Sequence, residues 1–216
     1  NQKDKLLYMY MEYCDGGDLS DVIKQFKENN QRIPETLIWQ VFTQLLLALY
    51  RCHNGVDIQP VTQIFQNTQE IQPSRENVQQ TVIHRDIKPE NVFFMSNKYT
   101  VKLGDFGLAK CLSSHTQFTQ TYVGTPYYMP PELIKEQAYN PVCDIWSLGC
   151  LLYSLMFGIS PFDREEQING LPLRHNICKG IFSIPDSKTY SQKLIAIIKS
   201  CLQVDSIMRP TASELL

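Results

Sequence analysis

The chain has 216 residues, 43% hydrophobic and 19% charged, with a formal net charge of −2. That length and apolar content suit one packed domain and argue against wholesale disorder, while so slight a charge gives no reason to expect nucleic acid or a membrane surface as a partner. Seven scattered cysteines, odd in number and without a C-x-x-C pair, read as reduced thiols, not as a disulfide frame or zinc site.

In chain order, Leu6–Met11 is a short apolar run with aromatics, which predicts a strand. Glu12 to Gly17 breaks it, and Asp18-Leu19 opens a short helix reaching about Phe26. Pro34-Glu35 starts the next helix, with proline in the first turn and an acid at the positive dipole end. Its apolar residues Ile38, Val41, Phe42, Leu45, Leu46, Leu49 and Cys52 recur at helical spacing.

Between Asn54 and Thr81 the periodicity disappears, and seven glutamines mark a Gln-rich insertion over 54–81. A short amphipathic helix around Ile64–Ile71 is the alternative there. Val82-Ile83 then leads into His84-Arg85-Asp86-Ile87-Lys88-Pro89-Glu90-Asn91. Val92–Phe94 and Val101–Leu103 read as a hairpin turning at Asn97-Lys98, followed directly by Asp105-Phe106-Gly107. The polar run Ser113–Thr121 is expected to be mobile. Asp144–Phe157 reads as a helix buried in the core, too short and too interrupted to span a bilayer. Leu194 to Leu202 marks an amphipathic helix, and Thr211 starts a last one. No N-x-[ST] sequon or signal-peptide pattern occurs, so the expectation is a soluble intracellular chain.

The two central motifs carry the chemistry. Phosphoryl transfer asks a protein for an oriented hydroxyl, neutralised phosphate oxygens and in-line geometry. Asp86 can align a hydroxyl, and Lys88, two residues on along an extended loop, can meet phosphate charge. Asn91 and Asp105 supply hard oxygen ligands suited to Mg²⁺. His84 and Phe106 read as packing residues, and Cys14 as a plain connecting residue with no basic neighbour to activate it. Asp144, ahead of the buried helix, reads as an ordinary helix N-cap.

These motifs, with Met11-Glu12-Tyr13-Cys14-Asp15-Gly16-Gly17-Asp18-Leu19, Gly124-Thr125-Pro126-Tyr127-Tyr128-Met129 and Asp144-Ile145-Trp146-Ser147-Leu148-Gly149-Cys150, resemble the C-terminal lobe of eukaryotic Ser/Thr protein kinases, most nearly the NIMA-related kinases. The resemblance implies an α+β, mostly helical lobe with a hinge and the last strand of the N-lobe, whose sheet is largely missing. It divides a partial kinase domain, 1–216, into an N-lobe remnant at 1–11, a hinge at 12–18 and the C-lobe at 19–216. ATP and Mg²⁺ are the implied cofactors. Glu12 and Cys14 would bind adenine through their backbones, with Met11 as gatekeeper, Asp18 near the ribose and Phe93 beneath the base. Thr125 would sit beside Asp86 and Lys88. Glu132 and Arg209 would form a buried ion pair, and Asp144 would brace the catalytic loop. Arg85 would receive a phosphate carried on Thr121, with Thr119, Thr116 and Ser113 as second choices.

Two departures stand out. Pro130 occupies a position usually held by serine or alanine, and stiffens the backbone there. The glycine-rich loop, the V-A-I-K strand lysine and its partner glutamate have no match among these residues; Lys3 and Lys5 lack the context. Two readings follow: a fragment of an active Ser/Thr kinase, poorly active alone, or a catalytically inactive lobe that binds or regulates. The complete set of acting residues favours the first. The implied substrates are Ser/Thr sites on cytoskeletal or cell-cycle proteins, in the cytoplasm, at the cytoskeleton or in the nucleus.

Overall fold

The computed structural model describes residue 8, residues 10–56, 81–106, 126–185 and 189–216, and the backbone of 110–111. Helices dominate. Helix α1 (Leu19–Glu28) starts where Asp18 turns its carboxylate onto the helix end, accepting from the N–H groups of Ser20 and Asp21 at 2.8 and 3.0 Å. Such a cap is worth about 1 kcal/mol. Helix α2 (Glu35–Asn54) has Pro34 at the N-cap, one residue earlier than the sequence suggested, and closes on Gly55 at φ +70°. Its buried stripe is the predicted Ile38, Val41, Phe42, Leu45, Leu46 and Leu49.

The strands are short. β1 (Val82–Ile83) pairs antiparallel with β4 (Lys110–Cys111), and β2 (Val92–Phe94) with β3 (Val101–Leu103). The turn of the predicted hairpin is held by Asn97 Oδ1, which accepts from the N–H groups of Tyr99 and Thr100 at 2.9 Å each. A 3₁₀ turn, Pro89–Asn91, joins the catalytic-loop motif to β2 and packs on α1.

Helices α3 (Pro131–Ile134), α4 (Val142–Phe157), α5 (Pro161–Asn169), α6 (Leu173–Lys179), α7 (Gln192–Cys201) and α8 (Ala212–Leu215) complete the described architecture. Every residue of α4 from Val142 to Met156 is buried, as a helix apolar on all sides must be. Helices α2, α5 and α7 pack around it. At the α4–α7 crossing a Cβ on Gly149 would lie 2.6 Å from the Cβ of Cys201, so only glycine permits this approach. Among the described residues no single helix is long and apolar enough to cross a membrane.

Several expectations need correction. Tyr8, Tyr10 and Met11 lie in no strand and are exposed, because no described strand runs beside them to supply a hydrogen-bonded ladder. The core helix begins at Val142, with Pro141 at its N-cap, so Asp144 is not a cap. Helices α3, α5 and α6 carry no strong apolar period: α5 is rich in acids and amides, and α3 is one turn set up by Pro130 and Pro131. Their signals were the caps instead, Ser160-Pro161 and Gly170 around α5, Gly180 after α6. Nearly all of the Gln-rich insertion, with its alternative helix at Ile64–Ile71, lies outside the described residues, as does Ser113–Thr121.

Candidate active site

The catalytic-loop motif hangs from one buried carboxylate. Asp144, fully buried in the first turn of α4, accepts from His84 N–H through Oδ2 at 2.9 Å and from Arg85 N–H through Oδ1 at 2.8 Å. His53, from the last turn of α2, reaches the same Oδ2 through Nε2 at 2.8 Å. Burying a carboxylate is costly unless its lone pairs are met, and three donors meet them here. Two successive N–H groups converge on one anion only if the backbone turns abruptly. Arg85 makes that turn at φ +68°, a left-handed conformation that non-glycine residues seldom adopt.

His84, read from the sequence as a packing residue, also bridges two backbone segments. Its ring is buried, accepts from Asp86 N–H through Nδ1 at 3.3 Å and contacts the Gly104 carbonyl through Nε2 at 2.9 Å. Because Nδ1 accepts, Nε2 carries the proton and donates to Gly104. The imidazole therefore ties the loop to the backbone just ahead of Asp105.

Asp86 stands at the centre. Lys88 Nζ lies 2.8 Å from Asp86 Oδ2, and Asn91 Nδ2 donates both to the Asp86 carbonyl at 2.7 Å and to Oδ2 at 2.9 Å. One carboxylate oxygen is thus held between a cation and an amide. With its amide nitrogen committed to Asp86, Asn91 keeps its amide oxygen as a hard donor atom. Gly104 N–H donates to the Asn91 carbonyl at 2.9 Å, which brings Asp105 alongside. Asp105 is exposed and sits at φ +57°, a second strained position at the motif itself. The amide and carboxylate oxygens are hard donors of the kind Mg²⁺ selects, so these residues fit that ion. Phe106 meets His84 edge-on, with centroids 4.7 Å apart, but remains 46% exposed and so packs on one side only.

The hinge runs along the free edge of β2. Gly16 N–H donates to the Phe94 carbonyl at 2.9 Å, and Phe94 N–H donates to the Gly17 carbonyl at 2.8 Å. A Cβ on Gly16 would fall 2.6 Å from the Phe94 carbonyl oxygen, so this contact requires glycine. Asp18 pairs by a single bridge with Phe93, whose ring packs directly on Gly104. Glu12 and Lys102 approach to 3.3 Å, while Met11 is exposed and Cys14 is half-buried. Thr125 and Thr121 lie outside the described residues.

Below the loop, Arg209 and Glu132 form the predicted buried pair, two parallel bonds of 2.6 and 2.7 Å. Arg209 also donates to the carbonyls of Gln203 and Val204, and its guanidinium lies 5.0 Å from the ring centre of Trp146. Two contacts escaped the sequence reading. His53 is 91 residues from Asp144, and Arg85 Nη1 donates to the Tyr139 hydroxyl at 3.3 Å across 54 residues. No linear spacing announces either.

A carboxylate held by a lysine and an asparagine thus stands beside a strained aspartate, Asp105, just past the end of β3. Residues 78–216 match the protein kinase domain family. The chain is 42% identical to the G2-specific protein kinase fin1 of Schizosaccharomyces pombe over 221 residues, covering 100% of this chain and 28% of that protein. It is 44% identical to the G2-specific protein kinase nimA of Emericella nidulans, covering 97% of this chain and 30% of that one. Against the human serine/threonine-protein kinase Nek2 the identity is 42%, over 97% of this chain and 42% of the relative. It thus spans less than half the length of these relatives. The chain belongs to the protein kinase family, in its NIMA-related serine/threonine branch.

Proposed function

We propose that this chain forms the lower half of the active site of an enzyme that transfers phosphate from ATP, with Mg²⁺, to serine and threonine hydroxyls on proteins. The observation that carries the reading is Asp86 Oδ2, held by Lys88 and Asn91 on a loop pinned to Asp144. Asp86 accepts a hydrogen bond from the incoming hydroxyl and aligns its oxygen for attack. Lys88, already beside that oxygen, supplies positive charge for the phosphoryl oxygens as negative charge is redistributed. Asn91 and Asp105 would hold Mg²⁺, whose charge would neutralise the nucleotide phosphates. Glu12 and Cys14 would offer backbone groups to adenine, with Met11 bordering it, Asp18 near the ribose and Phe93 beneath the base. Thr125 would act beside the Asp86–Lys88 pair.

Arg85 would receive a phosphate on Thr121, with charge-assisted bonds ordering the segment. The names of the relatives support cell-cycle substrates, and we extend this to cytoskeletal proteins in the cytoplasm or nucleus. The test is incubation of the full-length protein with Mg·ATP and serine, threonine and tyrosine peptides, with product sites mapped by mass spectrometry. Phosphoserine and phosphothreonine are expected, and the 216 residues alone should be slow, lacking a glycine-rich loop and strand lysine. ATP binding without transfer by the full-length protein would instead establish the inactive binding lobe.

A further inference from the structure

The hairpin that ends in Asp105 has one edge on β2 and the hinge, and no described strand on the other. On that outer edge Val101 N–H, at the start of β3, and the carbonyl of Tyr99, two residues before it in the turn, both face α2. One side chain of α2 satisfies both. Gln44 Oε1 accepts from Val101 N–H at 3.1 Å, and its Nε2 donates to the Tyr99 carbonyl at 3.0 Å. Gln40 Nε2 donates to the same carbonyl at 2.6 Å, and Gln44 Nε2 also reaches the Gln40 carbonyl at 3.2 Å. A primary amide offers an acceptor and a donor side by side, like the facing edge of a neighbouring strand. Gln44 thus serves as a one-residue strand that closes the open edge.

From these contacts we infer that Gln44 is a positioning residue for Asp105, a role that rests on the Mg²⁺ reading above. β3 is three residues long and would be weakly held by one neighbour alone. Asp105 follows it in a left-handed conformation that persists only where the flanking backbone is fixed. Asn91 and His84 fix Gly104. Gln44 fixes the other end of the strand, so Asp105 cannot slide or swivel with the hairpin. The same helix holds Asp144 through His53, two and a half turns further on, so α2 sets the register between the metal strand and the catalytic loop.

The test uses Gln44→Leu and Gln44→Glu in the full-length protein, with amide exchange measured without nucleotide. Gly104 N–H is the diagnostic, because Gln44 does not touch it. In Gln44→Leu its exchange should rise about fivefold, the factor one net hydrogen bond is worth. The Mg²⁺ concentration for half-maximal activity should rise with it, while KM for the protein substrate stays constant. Gln44→Glu, which keeps the acceptor and loses the donor, should fall between and decides the matter if the leucine variant does not fold. A lower melting midpoint with unchanged Gly104 exchange would overturn the inference and leave Gln44 a structural staple. If the wild type transfers no phosphate, the functional reading fails, while Gly104 exchange still decides the positioning role.

Discussion

Arg209 shows how much one residue can hold. The residue is 3% exposed, and its guanidinium is bound to Glu132 by two short bonds, with carbonyls taking further donors. Replacing Glu132 with glutamine removes the balancing charge and strands a buried cation, which costs about 3–5 kcal/mol. Thermal unfolding of the variant should show that loss; a midpoint equal to wild type would mean that water already screens the pair. The phosphate-receiving role proposed for Arg85 is tested at the same scale. Thr121→Ala in the full-length protein should lower activity severalfold without lowering the melting midpoint, and full activity would place the switch elsewhere. At this scale the sequence was highly legible, because Asp86, Lys88, Asn91 and Asp105 are fixed by short spacings. His53 and Tyr139 were not, since their partners are far along the chain and meet only through folding.

Elements are joined by polar pins as well as by the core. Glu35, in the first turn of α2, accepts from the Ser191 hydroxyl at 2.5 Å, from Ser191 N–H at 2.8 Å and from the Trp39 indole at 2.9 Å. Ser191 is itself the N-cap of α7, so one carboxylate couples the starts of two helices. The Ser191 hydroxyl chiefly holds the Glu35 carboxyl below the ordinary 4.5, outweighing burial, which raises it, with help from the Ser191 N–H and the Trp39 indole. A lowered folded-state pKa means stability that is present above the ordinary value and is lost as pH falls through the lowered one. Glu35→Gln should therefore melt earlier at neutral pH, and the gap to wild type should close as pH drops below 4.5. The site is open to solvent, so the gap stays under about 1 kcal/mol. A gap that persists unchanged into strong acid would rule out the carboxylate as its source. Long apolar periods revealed α2, α4 and α7, whereas α3, α5 and α6 are set by caps and prolines on polar stretches and passed unseen.

The whole molecule is organised by α4. Its first turn carries Asp144 and so the catalytic loop, its middle packs on α7 at Gly149, and its neighbour Phe162 stacks on Trp146 at 5.2 Å beneath Arg209. The loop strain at Arg85 and Asp105 is held against this rigid post. The sequence announced the chemistry and the core helix, and the family resemblance supplied the brace from Asp144; spacing alone could not, because those contacts cross 59 and 60 residues. The central claim is that Asp86 orients the attacking hydroxyl. Steady-state kinetics of Asp86→Asn in the full-length protein test it most directly. The account predicts kcat lower by about 10²–10⁴, the usual worth of such a group, with KM for ATP unchanged. An Asp86→Asn enzyme turning over at the wild-type rate would contradict it.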